Sequence, residues 1–191
     1  TLFKEMSTNG VVPDVITYNA AISACEKGGQ WQQALTLLNE MSTNGVVPNV
    51  ITYSAAIEAL PISEIDTART VCAQAMHEGH FQIWNDRGEV DLHLGNTDSS
   101  GGCSAAVARV LLYLTLHEYV EETRAIADLT VITGQGRGSR ERGALAVLPT
   151  STRSFLQREL KPGLTITEVV PRNPGRFVLM AESIRAWVAA T

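Results

Sequence analysis

The chain has few of the residues that build metal and disulfide sites. Its three cysteines, Cys25, Cys72 and Cys103, are far apart and form no CxxC motif. An odd number of widely spaced cysteines favours neither a disulfide framework nor a zinc site, and it fits a reducing compartment. The four histidines show no metal-ligand spacing, because the closest two, His77 and His80, are typical of a solvated pair.

Long apolar runs and an excess of positive charge are also missing. No apolar run approaches the length that spans a bilayer, so no membrane contact is predicted. The net charge of −5 does not suggest a nucleic-acid partner, but the charge is unevenly distributed. Residues 1–88 carry four basic and nine acidic side chains, whereas residues 128–191 carry nine basic and five acidic ones. The basic excess indicates either a phosphate-facing surface or a merely solvated one.

A near-copy at a fixed distance is the main feature that is present. Residues 6–22 read MSTNGVVPDVITYNAAI, and residues 41–57 read MSTNGVVPNVITYSAAI. The copies lie 35 residues apart and differ only at Asp14/Asn49 and Asn19/Ser54. A period of this length predicts stacked supersecondary units, and therefore a solenoid with a continuous surface.

Within one unit the apolar spacing is helical. Residues at intervals of three and four fall on two segments, at Tyr18, Ala21, Ile22 and Cys25, and at Trp31, Ala34, Leu35, Leu38 and Met41. Thr17 is predicted to cap the first helix, Gly28-Gly29 to break it, and Asn44-Gly45 to end the second helix. Each unit is therefore predicted to be a helical hairpin.

The hairpin resembles a pentatricopeptide (PPR) repeat, a family that binds single-stranded RNA. The markers are Thr17-Tyr18-Asn19, Ala34-Leu35, Glu40-Met41, Gly45 and Pro48. The resemblance predicts repeats over 1–84, namely one partial repeat, one complete repeat at 15–49 and one degenerate repeat at 50–84. In the degenerate repeat, Pro61 should end or kink the first helix, and the second helix should cover 66–78.

The resemblance also implies which side chains read bases, because each PPR repeat reads one base through two or three side chains. The pair in the complete repeat is Asn19 with Asn49, which resembles pairs that favour pyrimidines, cytosine more than uracil. Asp14 would close the preceding repeat. Ser54 would be the first base-reading residue of the next repeat. The second base-reading position of that repeat holds Trp84, which is an unusual residue there. The alternative is that these polar residues are only solvated.

From about residue 89 the pattern changes to alternating strands and helices. Strands are predicted at 90–94, 129–133, 164–170 and 176–180, and helices at 104–120, 144–160 and 181–189. The order β-α-β-α-β-β with a short C-terminal helix predicts a compact α/β sandwich on a small mixed sheet. The predicted fold is thus an α-helical solenoid followed by an α/β sandwich over 89–191.

This second region resembles the small MutS-related (SMR) domain, which follows PPR arrays in organellar proteins. The motifs are Asp91-Leu92-His93, Thr133-Gly134-x-Gly136-x-x-Ser139, Asn173-Pro174-Gly175-Arg176-Phe177 and Ala186-Trp187. SMR domains are linked to cleavage of nucleic acid. The loop 94–102 is a few residues longer than the usual form.

The resemblance implies catalytic roles for Asp91 and His93, with Asp91 as the ligand of Mg²⁺ or Mn²⁺ and no tightly bound cofactor. The predicted phosphate contacts come from the glycine loop and its arginines: Thr133, Gly134, Gly136, Arg137, Ser139 and Arg140. Asp91 and His93 also fit a structural hydrogen-bonded pair, and the glycine loop also fits a simple tight turn.

The predicted function is selection of a single-stranded transcript by the repeats, with binding or endonucleolytic cleavage of nucleic acid by the SMR domain in RNA processing. Structured nucleic acid is a second expected partner there. The resemblance implies a chloroplast or mitochondrial protein, of which this chain is expected to be a C-terminal piece. The alternatives are a non-catalytic RNA-binding regulator of gene expression and a protein-binding scaffold like the tetratricopeptide family, whose period is one residue shorter.

Overall fold

A computed structural model of the protein describes residues 2–92, 104–122, 126–133, 147–168 and 175–190. The chain divides into two compact units, Thr1–Ala75 and Met76–Thr191. The predicted ranges 1–84 and 89–191 stay a prediction. None of the helices within the described residues is both long and apolar enough to cross a membrane.

The first unit consists of helices joined by short turns. They are α1 (Leu2–Thr8), α2 (Val15–Lys27), α3 (Trp31–Thr43), α4 (Val50–Ala59), a 3₁₀ turn (Ile62–Glu64) and α5 (Ile65–His77). Helices α2 and α3 pack against each other as the complete hairpin, and α2 also packs against α4 of the next repeat. The predicted helical repeat is confirmed.

The two copies bury the same positions. Tyr18 and its copy Tyr53 are fully buried, as is Ile22. The Tyr18 hydroxyl accepts a hydrogen bond from Asn44 Nδ2 at 2.8 Å, which ties the first helix of the hairpin to the end of the second. Gly45 follows with φ of 73°, a left-handed conformation that side-chain-bearing residues avoid. Asn44-Gly45 therefore ends α3, as predicted.

The predicted cap at Thr17 is wrong. Helix α2 begins at Val15, and its N-cap is Asp14, whose side chain accepts from Thr17 N. An aspartate two residues before Ile16 offers a better acceptor to the free N–H groups than a threonine already inside the first turn. The predicted stop near Pro61 is confirmed, because α4 ends at Ala59.

The second unit is a small mixed sheet with helices. Its strands are β1 (Val90–Asp91), β2 (Leu129–Ile132), β3 (Ile166–Glu168) and β4 (Arg176–Leu179), in the order β1-β2-β4-β3. Strands β1 and β2 are parallel, whereas β4 is antiparallel to both β2 and β3. The helices are α6 (Ala105–Glu122), α7 (Val147–Ser154), a π-helical turn (Phe155–Glu159) and α8 (Ala181–Val188).

The observed element order agrees with the predicted β-α-β-α-β-β order with a C-terminal helix. Pro149 lies in the first turn of α7, where its missing N–H costs no helical hydrogen bond. The single helix predicted at 144–160 is instead α7 followed by the π-helical turn. Residues 144–146 lie outside the described residues.

A hairpin that was not predicted precedes β1. Trp84 forms an antiparallel bridge with Val90, and Asn85 Oδ1 accepts from Glu89 N at 3.0 Å across the turn. Asn and Asp side chains commonly close turns in this way. Trp84, the predicted last residue of the degenerate repeat, thus belongs to the second unit.

Candidate nucleic-acid interface

The structure brings Asn19 and Asn49 together at the junction of two repeats. Asn19 lies on α2 and Asn49 is the N-cap of α4, and Asn19 Nδ2 donates to Asn49 Oδ1 at 3.3 Å. Both side chains are half-buried. These two residues, called the selector pair below, form one hydrogen-bonded unit that links α2 to the start of α4.

Helix capping fixes the orientation of the Asn49 amide. Its Oδ1 accepts from Ile51 N at 3.0 Å and from Thr52 N at 3.1 Å. The opposite orientation would place an NH₂ group against two backbone donors, so the amide cannot flip. Among the residues that the structure describes, Asn49 Nδ2 makes no hydrogen bond, so its two hydrogens are available to a ligand.

Exposed apolar side chains border the selector pair. Ile16 is 72% exposed and lies three residues before Asn19 on α2, while Ile51 is 46% exposed and lies next to the Asn49 cap. Val12 and its copy Val47 are exposed as well. The sequence analysis missed these residues because it assigned apolar positions to the core. The sequence feature that could have revealed them is a valine two residues before the cap position and an isoleucine two residues after it, repeated in both copies.

Asp14 occupies in the first copy the place that Asn49 occupies in the second. Its Oδ1 accepts from Thr17 N at 2.9 Å and from Thr17 Oγ1 at 2.8 Å. The backbone hydrogen bond from Thr17, followed by that from its hydroxyl, holds the pKa of Asp14 below the usual 3.8. The carboxylate is therefore the stable form of this cap.

The start of α2 should weaken in acid for this reason. The folded pKa of Asp14 is depressed, so its contribution is complete above the unfolded pKa, near 3.8, and is lost as the pH falls through the lower folded value. The Thr17 amide resonance, followed by NMR, should titrate with a midpoint below 3.8. In Asp14→Asn the titration should disappear while the cap remains, because the second copy uses Asn49. A midpoint at or above the unfolded value would contradict the assignment.

Ser54 is the copy of Asn19 and is half-buried on α4. Its partner position by repeat spacing, Trp84, is placed by the structure in the second unit. Contact of Ser54 with nucleic acid stays a prediction.

Two residues of the second predicted site, Asp91 and Thr133, are among the described residues, and both lie at the carboxyl ends of neighbouring parallel strands. Asp91 pairs with Ile132 on the parallel strand β2, and Leu92 N donates to Ile132 O at 2.8 Å. The chain therefore leaves β1 and β2 at the same edge. Thr133, which opens the glycine loop, is buried, and its N–H donates to Gly175 O at 2.7 Å. The other predicted residues lie outside the described residues: His93, Gly134, Gly136, Arg137, Ser139 and Arg140.

Several cations of the basic C-terminal region already have partners. Arg176 forms an ion pair with Glu89, and the Arg153 guanidinium lies 4.8 Å from the centre of the Phe177 ring. No group of three His, Cys, Asp or Glu side chains that could hold a metal ion occurs among the residues that the structure describes. Asp91 is half-buried at its edge of the sheet.

The first unit is thus a helical-repeat module whose repeats are joined by a polar pair and bordered by exposed apolar residues. Residues 13–61 match the sequence profile of the PPR repeat family. This match covers about a quarter of the chain and includes Asp14, the selector pair and Ser54. It supports a PPR repeat region in the first unit. No curated protein matches the chain.

Proposed function

We propose that the repeat region binds single-stranded RNA and that the selector pair reads one pyrimidine, cytosine in preference to uracil. The observation that carries this proposal is the fixed amide of Asn49. Its carbonyl is used by the α4 cap, so it presents only N–H donors outward. Cytosine has two adjacent acceptors, N3 and O2, on its pairing edge, whereas in uracil the acceptors O2 and O4 are separated by the N3–H donor.

The exposed Ile16 and Ile51 supply the second part of the site. An unstacked base leaves two apolar faces in water, and flanking side chains that are already exposed can cover them. Residues 1–75 carry only three basic side chains, Lys4, Lys27 and Arg69. RNA binding by this unit therefore rests on contacts to bases, and we expect its salt dependence to be weak.

Asn49→Asp should move the preference from cytosine to uracil. A carboxylate at this position can still cap α4, as Asp14 caps α2, but its outward oxygen accepts the N3–H of uracil and repels the N3 of cytosine. We expect the cytosine-to-uracil affinity ratio to fall by about tenfold, which corresponds to roughly 1.4 kcal/mol.

The measurement is an NMR titration of the ¹⁵N-labelled chain with trinucleotides that differ only in the central base, at one fixed low salt concentration. NMR suits the weak affinity expected when one complete repeat contacts about one base. The Asn19 and Asn49 side-chain amides report the contact, and Asn39→Asp, on the exposed face of α3, is the charge-matched control. Equal affinities for all four bases would contradict the proposal.

We further propose that the second unit is an SMR domain that binds or cleaves nucleic acid and that the protein works on chloroplast or mitochondrial transcripts. The parallel pairing of β1 with β2 supports this, because Asp91 and the segment after Thr133 then leave the sheet at one edge. Ligands commonly bind at such edges of α/β sheets. Asp91 would hold Mg²⁺ or Mn²⁺, His93 would move a proton, and the glycine loop with its arginines would contact phosphate.

A further inference from the structure

Thr52 contacts both members of the selector pair, although it belongs to the following repeat. Its side chain is fully buried at the third position of α4. Its Oγ1 lies 2.5 Å from Asn19 Oδ1 and 3.1 Å from Asn49 Oδ1, and it accepts from Asn49 N at 3.0 Å. The hydroxyl is therefore the point where the cap of α4 and the pair meet.

The single hydroxyl hydrogen of Thr52 is donated to Asn19. A hydroxyl has one hydrogen, and the contact to Asn19 is the shorter of the two. Asn49 Oδ1 already accepts from two backbone N–H groups and from Asn19 Nδ2. Donation to Asn19 thus satisfies an acceptor that has no other donor among the described residues, whereas donation to Asn49 would add a fourth.

The consequence is that Asn19 is oriented as firmly as Asn49. Its Oδ1 is held by Thr52 and one Nδ2 hydrogen is held by Asn49, so the second Nδ2 hydrogen faces outward. Without the hydroxyl, a single bond of 3.3 Å would set the orientation of the Asn19 amide. A rotated amide would present an acceptor to the base in place of a donor.

We propose that Thr52 is a specificity-determining residue of the base-reading site, because its buried hydroxyl makes the selector pair present donors only. This inference rests on the proposed function of the pair. Thr52 contacts no base in this arrangement; it acts through Asn19 and is a positioning residue. The base is then read by two residues of one repeat, Asn19 and Asn49, which are positioned by a third residue, Thr52, from the following repeat.

The first copy provides a matched control. There the equivalent hydroxyl, that of Thr17, donates to the cap residue Asp14. Thr17 and Thr52 both occupy the third position of their helices. Thr17→Val, like Thr52→Val, removes a hydroxyl that is hydrogen-bonded to the N-cap residue of its own helix, but it leaves the orientation of Asn19 unchanged.

The test compares Thr52→Val, Thr52→Ser and Thr17→Val in the full chain by the trinucleotide titration. In Thr52→Val the cytosine-to-uracil affinity ratio should fall by about fivefold. This is roughly the effect of losing the one hydrogen bond that orients the Asn19 amide. Thr52→Ser keeps a hydroxyl and should keep the ratio, as should Thr17→Val. An unchanged ratio in folded Thr52→Val would overturn the inference. If Thr52→Val does not fold, Thr52→Ala is used in its place, with the same expected result.

A second measurement separates this inference from the proposed function. Without RNA, the Asn19 side-chain NH₂ resonances of Thr52→Val should shift and exchange faster with water, while those of Thr52→Ser should not. If the unaltered chain does not distinguish cytosine from uracil, the proposed function fails, and these resonances still report whether Thr52 orients Asn19. Unmoved Asn19 resonances in Thr52→Val would refute the orienting role.

Discussion

Asp91→Asn is expected to abolish the proposed metal-dependent RNA cleavage and to leave the RNA affinity of the protein nearly unchanged. The substitution keeps the shape of the side chain but removes the negative charge that would hold Mg²⁺ or Mn²⁺ at the edge of the sheet. Affinity should survive because the repeats supply the base contacts. Cleavage is measured on end-labelled single-stranded RNA with and without Mg²⁺ or Mn²⁺, and affinity on the same RNA without metal.

Asp86→Asn is the matched control for this experiment. Asp86 is exposed in the turn of the hairpin before β1, and its substitution changes the charge equally. It should retain full cleavage. Undiminished cleavage by Asp91→Asn would remove Asp91 from the mechanism. If the unaltered chain shows no metal-dependent cleavage, the function is RNA binding without cleavage.

Trp187→Ala should destabilise the second unit by about 3–5 kcal/mol, the usual cost of truncating a buried aromatic side chain to alanine. Trp187 is only 1% exposed and packs edge-on against Tyr113 and His117 of α6 at ring distances of 5.8 and 4.9 Å. Helix α8 has eight residues, too few to be stable without packing. Amide exchange of α8 should therefore accelerate sharply.

Glu182→Ala is the control, because Glu182 is exposed on the same helix. It should change the unfolding free energy by less than about 0.5 kcal/mol. Denaturant unfolding followed by amide exchange measures both variants. Unchanged protection of α8 in Trp187→Ala would show that the ring cluster does not hold this helix in place.

The repeat region was predictable because local and periodic signals agree there. A near-copy at a distance of 35 residues, glycines after both helices and apolar spacing all indicate the same hairpin. The error at Thr17 arose at a helix boundary, where competing polar residues lie within one turn. Asp14 took the cap because its carboxylate accepts from both the amide and the hydroxyl of Thr17.

The sequence did not reveal how the candidate site is assembled. The approach of Asn19 to Asn49 could be inferred from repeat spacing, but the role of Thr52 depends on three oxygen positions within about one hydrogen-bond length, which a pattern of residue types does not encode. The hairpin before β1 was missed for a different reason. Asn85 and Gly88 are ordinary turn residues, but the bridge of Trp84 with Val90 is too short to show strand alternation.

The N-cap at residue 49 also limits which substitutions could change the base that this repeat is proposed to read. Among residues with a polar side chain, Asn, Asp, Ser and Thr are the preferred N-caps, and an apolar replacement would cost about 1 kcal/mol of stability. The amide, the carboxylate and the hydroxyl of these residues offer three different patterns of donors and acceptors to a ligand. Under the proposed function, substitutions among these four residues can therefore change the base that is read without weakening the fold, and the two copies in this chain already hold two of them, Asp14 and Asn49.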